Sequence, residues 1–241
     1  MICSDSTSVA PESLHPSLWR ASQLARSSTR CIDTGHPALS AQLPGGGWPT
    51  GSLVDLLIQQ PGIGEMRLLR PALAEVAKRR IVLLQPPHPP QALALAALGV
   101  PPSQLLWLRA GQTADALWAA EQVLRSGSCG ALLFWPGHAG QNHARADSLR
   151  RLHLAAQAGE TLFFLMRPLA ASQDASPAPL RLALRPQAGG VEIDFVKRRG
   201  PTRDASLFLP LTSHLVQRHA PVDRTAPAPV TARGLRSELV H

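Results

Sequence analysis

The chain has 241 residues, 44% hydrophobic and 17% charged, with a formal net charge of +8 and an isoelectric point near 11. That apolar share is enough for the core of one ordinary domain, and without any run of about 18 apolar residues no membrane span is expected. The basic balance favours an acidic partner such as nucleic acid or an acidic protein surface, and three cysteines without metal-ligand spacing (Cys3, Cys31, Cys129) suit a reducing cytoplasm.

Residues 1–40 mix Ser, Thr, Pro and Arg with little periodicity and read as an N-terminal arm. Within it, LHPSLWRASQLA suits one short helix anchored by Trp19, and the start lacks the basic and apolar segments of a secretory leader. From Leu43 onward short apolar runs alternate with amphipathic stretches. SLVDLLI (52–58) predicts a buried strand, followed by a helix over 65–77. RIVLLQ (80–85) predicts a second strand, ended by the prolines of 86–90, and a short Ala/Leu helix over 91–98 closes at Gly99. QLLWLR (104–109) is a third strand. TADALWAAEQVLR (113–125) is the clearest helix, with Ala116, Leu117, Ala120 and Leu124 on one face. Thr113 suits its N-cap, Asp115 its first turn, Arg125 its last and Gly127 its exit. GALLFW (130–135) is a fourth strand, a basic helix spans 144–158, and ETLFFLMR (160–167) is a fifth strand.

Strands alternating with helices predict an α/β fold, a mainly parallel twisted sheet flanked by helices. Beyond a turn-rich loop (169–179), LRLALR (180–185) and VEIDFVKRR (191–199) alternate in period two around PQAGG and predict a C-terminal β-hairpin extension. The core is therefore assigned to 41–210, and 211–241 reads as a flexible basic tail.

The turn IQQPGIGEMRLL (58–69) stands where a nucleotide-binding α/β protein carries its phosphate loop. A working loop, G-x-x-x-x-G-K-[ST], holds phosphate oxygens with backbone amides and a lysine, and its hydroxyl sits on Mg²⁺. Laid on 59–66, the pattern keeps only its second glycine, Gly64, with Gly62 inside the loop. Gln59 replaces the first glycine, Glu65 the lysine and Met66 the hydroxyl. At an effective dielectric of about 20, like charges about 4 Å apart cost roughly 4 kcal/mol, so a carboxylate in the lysine's place repels phosphate. At a helix start the same carboxylate gains about 0.3–1 kcal/mol from the helix dipole. Glu65 is expected to stand in for the anion, and no nucleotide or other cofactor is expected.

TGHPALSAQLPGGGWPTGSLVDLL (34–57) resembles the entry to the RecA/RadA recombinase core, where a T-G-x-x-x-L-D-x-x-L-G-G-G-type segment precedes G-[RS]-[IL]-V-E-[IL] and the phosphate loop. Ser40 takes the aspartate position and 43–47 the glycine turn. SQLLWLRAGQTADALWAAEQVLRSG (103–127) is similar to the third strand and following helix of that core. The resemblance implies further losses. Pro87, beside His88, stands where the catalytic glutamate of an A-E-H belongs, and Trp135 where the Walker B strand ends in aspartate.

Together, LPGGGWPTGSLVDLL, QPGIGEMRLL, ALWAAEQVLRSG and VKRRGP resemble the ImuA family over roughly residues 14–210. ImuA proteins are RecA-like accessory proteins of bacterial damage-induced mutagenesis. The resemblance implies a non-catalytic assembly factor for translesion synthesis in the SOS response. Its implied partners are ImuB (a catalytically inactive relative of Y-family polymerases), an error-prone DnaE-type polymerase and RecA. It also implies a cytoplasmic protein that joins the nucleoid when DNA is damaged.

Several residues keep two readings. Lys197, Arg198 and Arg199 form either a solvated strand end or a contact for DNA or an acidic partner. Arg167 matches a RecA position, and a core-edge ion pair explains it equally well. Trp48 either packs beside its glycine turn or anchors a partner, and Trp19 is a further contact candidate. Arg145, Arg150, Arg151 and His153 read as a solvated helix face. Loops 136–143 and 168–179, which meet single-stranded DNA in RecA-type proteins, offer almost no basic residue and no aromatic for stacking. His138, His143 and His153 lack ligand-spaced companions, so no metal site is expected. The arm (14–24) and the chain after about residue 200 are the expected partner-binding segments, and self-association through an arm or edge is open. Two rival functions also stay open: a SulA-type cell-division inhibitor that binds the tubulin-like division protein, and a RecA-like ATPase with a displaced nucleotide site.

Overall fold

The computed structural model of the chain describes residues 30–97, 99–136, 145–200 and 205–211. Two short strands, β1 (Cys31–Asp33) and β2 (Gly47–Pro49), pair antiparallel on either side of a helical turn, α1 (Pro37–Ser40). Strand and helix then alternate: β3 (Ser52–Ile58), α2 (Glu65–Val76), β4 (Arg80–Leu84), α3 (Ala92–Ala97), β5 (Leu105–Leu108), α4 (Thr113–Ser126), β6 (Cys129–Phe134), α5 (Ala146–Ala156) and β7 (Leu162–Pro168). β8 (Leu180–Gln187), β9 (Gly190–Lys197) and β10 (Leu207–Pro210) complete the described chain.

The main sheet has eight strands in the order β10-β9-β8-β3-β7-β6-β4-β5. From β8 to β5 all neighbours are parallel, while β9 and β10 add antiparallel, so the sheet is mixed and the class is α/β. The parallel strands are apolar on both faces because helices cover both. Leu68, Leu69, Ala72 and Leu73 of α2 close one face over Val54, Leu56 and Leu133. Ala116, Ala120 and Leu124 of α4, with Leu149 and Leu152 of α5, close the other over Leu53, Leu132 and Phe163.

Element ends follow local chemistry. Gly127, at φ +60°, terminates α4 in the left-handed conformation that glycine adopts without penalty. The start of α4 differs from the sequence reading. Gln112 is the extended N-cap residue and Thr113 is already helical, with no side-chain cap at this end.

The arm boundary at residue 40 is also corrected. Thr34 and Leu39 are fully buried, and β1 is tied to the body through β2. A Cβ on Gly35 would lie 2.2 Å from Cβ of Pro71 in α2, so this turn is pressed against that helix. The segment lacks periodicity because it packs through single residues. Trp19 and the stretch 14–24 lie outside the described residues, as does the tail beyond Leu211.

One charge sits at the middle of β3. Asp55 is fully buried, which a carboxylate tolerates only when paired. Arg167 of β7 donates from Nε to Oδ1 at 3.0 Å and from Nη2 to Oδ2 at 2.5 Å. Arg181 of β8 donates from Nε to Oδ2 at 3.0 Å, and its two other nitrogens bond the carbonyls of Ala171 and Ser172 at 2.8 and 3.2 Å. Asp174 accepts from Arg167 Nη1 at 3.3 Å. The cluster thus binds three strands to the 3₁₀ turn Leu169–Gln173. Arg167, 2% exposed, is a core ion-pair residue and presents no surface to DNA or a partner.

Asp55→Ala would leave two buried guanidiniums with only Asp174 to pair. It is expected to lower the unfolding free energy by about 3–5 kcal/mol. Asp147→Ala, on the exposed side of α5, should change stability little. Urea-denaturation midpoints of the two variants check this.

Candidate functional site

Residues 59–64 carry the chain from the C-terminal end of β3 into α2. Gly62 and Gly64 have φ of +85° and +124°, values that L side chains avoid. This path turns their two amides into one concavity, the arrangement with which glycine-rich loops hold an anion at a helix start. The chain supplies that anion itself. Glu65, the first residue of α2, folds back so that Gly62 N–H donates to Oε1 at 2.9 Å and Gly64 N–H donates to Oε2 at 3.1 Å. Both carboxylate oxygens are engaged, and Glu65 is only 3% exposed. The bonds are charge-assisted, and the negative charge lies at the positive end of the α2 dipole.

At Gly64 the loop is also covered from outside. A Cβ on Gly64 would meet Leu211 Cδ1 at 3.0 Å and Val191 Cγ1 at 3.3 Å. Arg67 Nη1 donates to the carbonyl of Leu211 at 3.3 Å, and Leu211 N–H donates to Gly189 O at 2.9 Å. Leu211, assigned from sequence to the tail, therefore belongs to the body. Gln59 is exposed and its N–H reaches Leu184 O at 3.3 Å, while Met66 is half-buried against the core. At the two other positions that the RecA resemblance singles out, Trp135 is buried beside the α2 face and Pro87 is half-buried in the turn after β4. His88 is exposed.

The opposite end of the sheet carries the cations. A cleft of about 120 Å³ opens at the N-terminal ends of β3 and β8, lined among others by Ser52, His153, Gln157, Pro179, Leu180 and Arg199. His153 Nδ1 accepts the Leu53 N–H at 3.4 Å, so the neutral ring carries its proton on Nε2. Burial, followed by the charges of Arg199 and Lys197, holds the His153 pKa below its usual 6.5. Lys197 is exposed and donates to Ser176 O at 3.2 Å. Arg198 is half-buried, donates to Gln42 O, and lies 5.5 Å from the Phe195 ring centre.

Trp48 is fully buried, edge-on to Phe164 with centroids 5.3 Å apart and planes at 88°. It packs behind its glycine turn and offers no partner anchor. On α5, Arg150 is solvated, but Arg151 pairs with the buried Glu121 of α4, which also binds Arg125 at 2.8 Å. No group of three metal-competent side chains occurs among the described residues, and His138 and His143 lie outside them. Sequence reasoning missed the Asp55–Arg181 contact and the buried role of Glu121. A lone acid inside SLVDLLI was the available signal for the first.

Fold and site together define an α/β protein on a largely parallel sheet, with a glycine loop occupied by the chain's own carboxylate. No family model matches the chain. It is similar to the cell division inhibitor SulA of Edwardsiella piscicida, with 37% identity over 81 residues. The match takes in 34% of this chain and 45% of that protein, so less than half of the relative's length is spanned.

Glu65→Ala would free the amides of Gly62 and Gly64. It is expected to cost about 1–3 kcal/mol of stability and to create a site for inorganic phosphate. Thermal melts should show phosphate raising the Tm of the variant and leaving that of the unmodified protein unchanged. His153 supplies a pH test. Its folded pKa lies below its unfolded value, so between the two the unfolded chain binds more protons and stability falls as the pH drops. Stability attributable to neutral His153 is complete above pH 6.5 and is lost as the pH falls below it. His153→Gln should flatten the fall in Tm between neutral and mildly acidic buffer.

Proposed function

We propose that this chain is a non-catalytic assembly factor of the bacterial SOS response to DNA damage. In this reading it has a RecA-like core of the ImuA type and acts in error-prone translesion synthesis with ImuB, a DnaE-type polymerase and RecA. The observation that carries the reading is the Glu65 carboxylate on the amides of Gly62 and Gly64. A triphosphate entering this loop would have to displace a bonded, buried carboxylate and would meet its charge. Losses at Pro87 and Trp135 point the same way, as do the motifs shared with ImuA. A core that does not turn over nucleotide acts through its surfaces, which is what an assembly factor requires.

The 37% identity to SulA favours a second reading, a division inhibitor that binds the tubulin-like division protein. Affinity capture of the tagged full chain from DNA-damaged cells, followed by mass spectrometry, separates the two. The first reading expects ImuB, the DnaE-type polymerase and RecA in the captured fraction, with normal division on overproduction. The second expects the division protein and filamentous cells. Mg²⁺-dependent ATP hydrolysis that disappears when Glu65 is replaced would contradict both and restore the displaced-site ATPase.

A further inference from the structure

The described chain enters the molecule beside a cleft. Arg30, the first described residue, is fixed there by three bonds. Its carbonyl accepts the Thr50 N–H at 2.9 Å and the Thr50 hydroxyl at 3.0 Å, and its Nη1 pairs with Glu160 at 2.5 Å. Cys31 follows, lines the cleft at the N-terminal ends of β3 and β8, and pairs in β1 with Pro49 of its wall. Pro44, Pro49, Pro179 and Leu180 make that wall apolar, and the neutral ring of His153 adds an uncharged side. The volume of about 120 Å³ compares with the roughly 150 Å³ of an apolar cavity that holds a benzene ring, so one leucine side chain fits.

We propose that this cleft is the docking site of the chain's own N-terminal arm, with Leu24 seated among the prolines and Leu180. The docked arm is autoinhibitory, because a partner that grips it has to draw Leu24 out of the cleft first. The inference concerns this chain alone, goes beyond the assembly reading and does not depend on it.

The positions of the two ends of the described chain select this occupant. Leu24 stands six positions before Arg30, so its tether spans up to about 20 Å from an anchor that adjoins the cleft. A linker this short gives an effective concentration of order millimolar, which favours the arm in cis over a second copy. The tail starts from the far end. Leu211 rests over Gly64, beyond the C-terminal end of β3, and the seven residues of β3 rise about 20 Å. Leu215 and Val216, the first apolar pair of the tail, follow Leu211 by four and five positions, at most about 18 Å of chain. They fall short of the cleft. Pro201, Thr202, Arg203 and Asp204 follow the lining residue Arg199 more closely, but none carries an aliphatic side chain of leucine's size.

NMR and thiol labelling of the full chain test the assignment together. Nuclear Overhauser contacts are expected from the Leu24 methyls to Leu180 and the His153 ring, independent of protein concentration. Leu24→Asp should speed alkylation of the half-buried Cys31 thiol by iodoacetamide about ten- to hundredfold, the shift that losing one buried leucine implies. Cys129, 5% exposed, should stay protected in the variant, which establishes that the body is folded. Ser8→Asp, which adds the same charge farther along the arm, should leave the Cys31 rate unaltered.

Absence of any contact between the arm and the cleft overturns the proposal. So does an unchanged Cys31 rate in Leu24→Asp, or an equal acceleration in Ser8→Asp. Contacts seen only between differently labelled copies would assign the cleft to a second chain, and contacts from 201–204 or the tail would assign it to those segments. Either result overturns the arm assignment. Should Leu24→Asp label Cys129 as well, the contacts in the unmodified chain decide alone.

Discussion

A carboxylate held by two backbone amides determines what this molecule can do at its glycine loop. The amides of Gly62 and Gly64 converge because both residues adopt positive φ, and convergent amides at a helix start favour an anionic acceptor. In a phosphate loop that anion arrives with the nucleotide. Here Glu65 brings it one residue into the helix, so the loop is satisfied when the chain folds and the helix dipole is countered by the same group. A loop filled in this way closes the end of β3 without a ligand. The closure then supports the packing above it, since Leu211 and Val191 rest where a side chain on Gly64 would have to project.

The two ends of the sheet differ for this reason. At the C-terminal ends of the parallel strands, where α/β proteins ordinarily bind ligands, the loop after β3 is filled from within and covered at Gly64 by Val191 and Leu211. At the N-terminal ends, Arg199 lines a small cleft together with His153, three prolines and Leu180. Between the ends, Asp55 fixes β7 and β8 to β3 through Arg167 and Arg181. Arg181 also pins the 3₁₀ turn that follows β7 through two carbonyls. A segment held this way has a defined path, and its guanidiniums are spent on the core.

Much of the fold was legible because apolar runs and helical periodicity mark elements buried on a whole face. β3, α2, α4, β6 and β7 all fall within a residue or two of the expected bounds. Glu65 could be assigned its role from charge sign and helix position alone. The misses share a cause. β1, β2 and α1 are held by single contacts such as Gly35 on Pro71, which leave no periodic trace. Arg167 and Trp48 each kept two readings, a core one and a surface one, because residue type announces charge or aromaticity and says nothing about the partner; both are buried. Asp55 and Phe164 lie 112 and 116 positions away from them, and only the folded sheet brings each pair together. The cleft was invisible for the same reason, as its lining comes from β3, α5, β8 and the chain after β9.

Crystals of the full chain soaked with a non-hydrolysable ATP analogue and Mg²⁺ test the central claim most directly. The account expects electron density for the Glu65 carboxylate on the amides of Gly62 and Gly64, with no triphosphate in the loop. Phosphate oxygens bonded to those amides, with Glu65 swung into solvent, would contradict it.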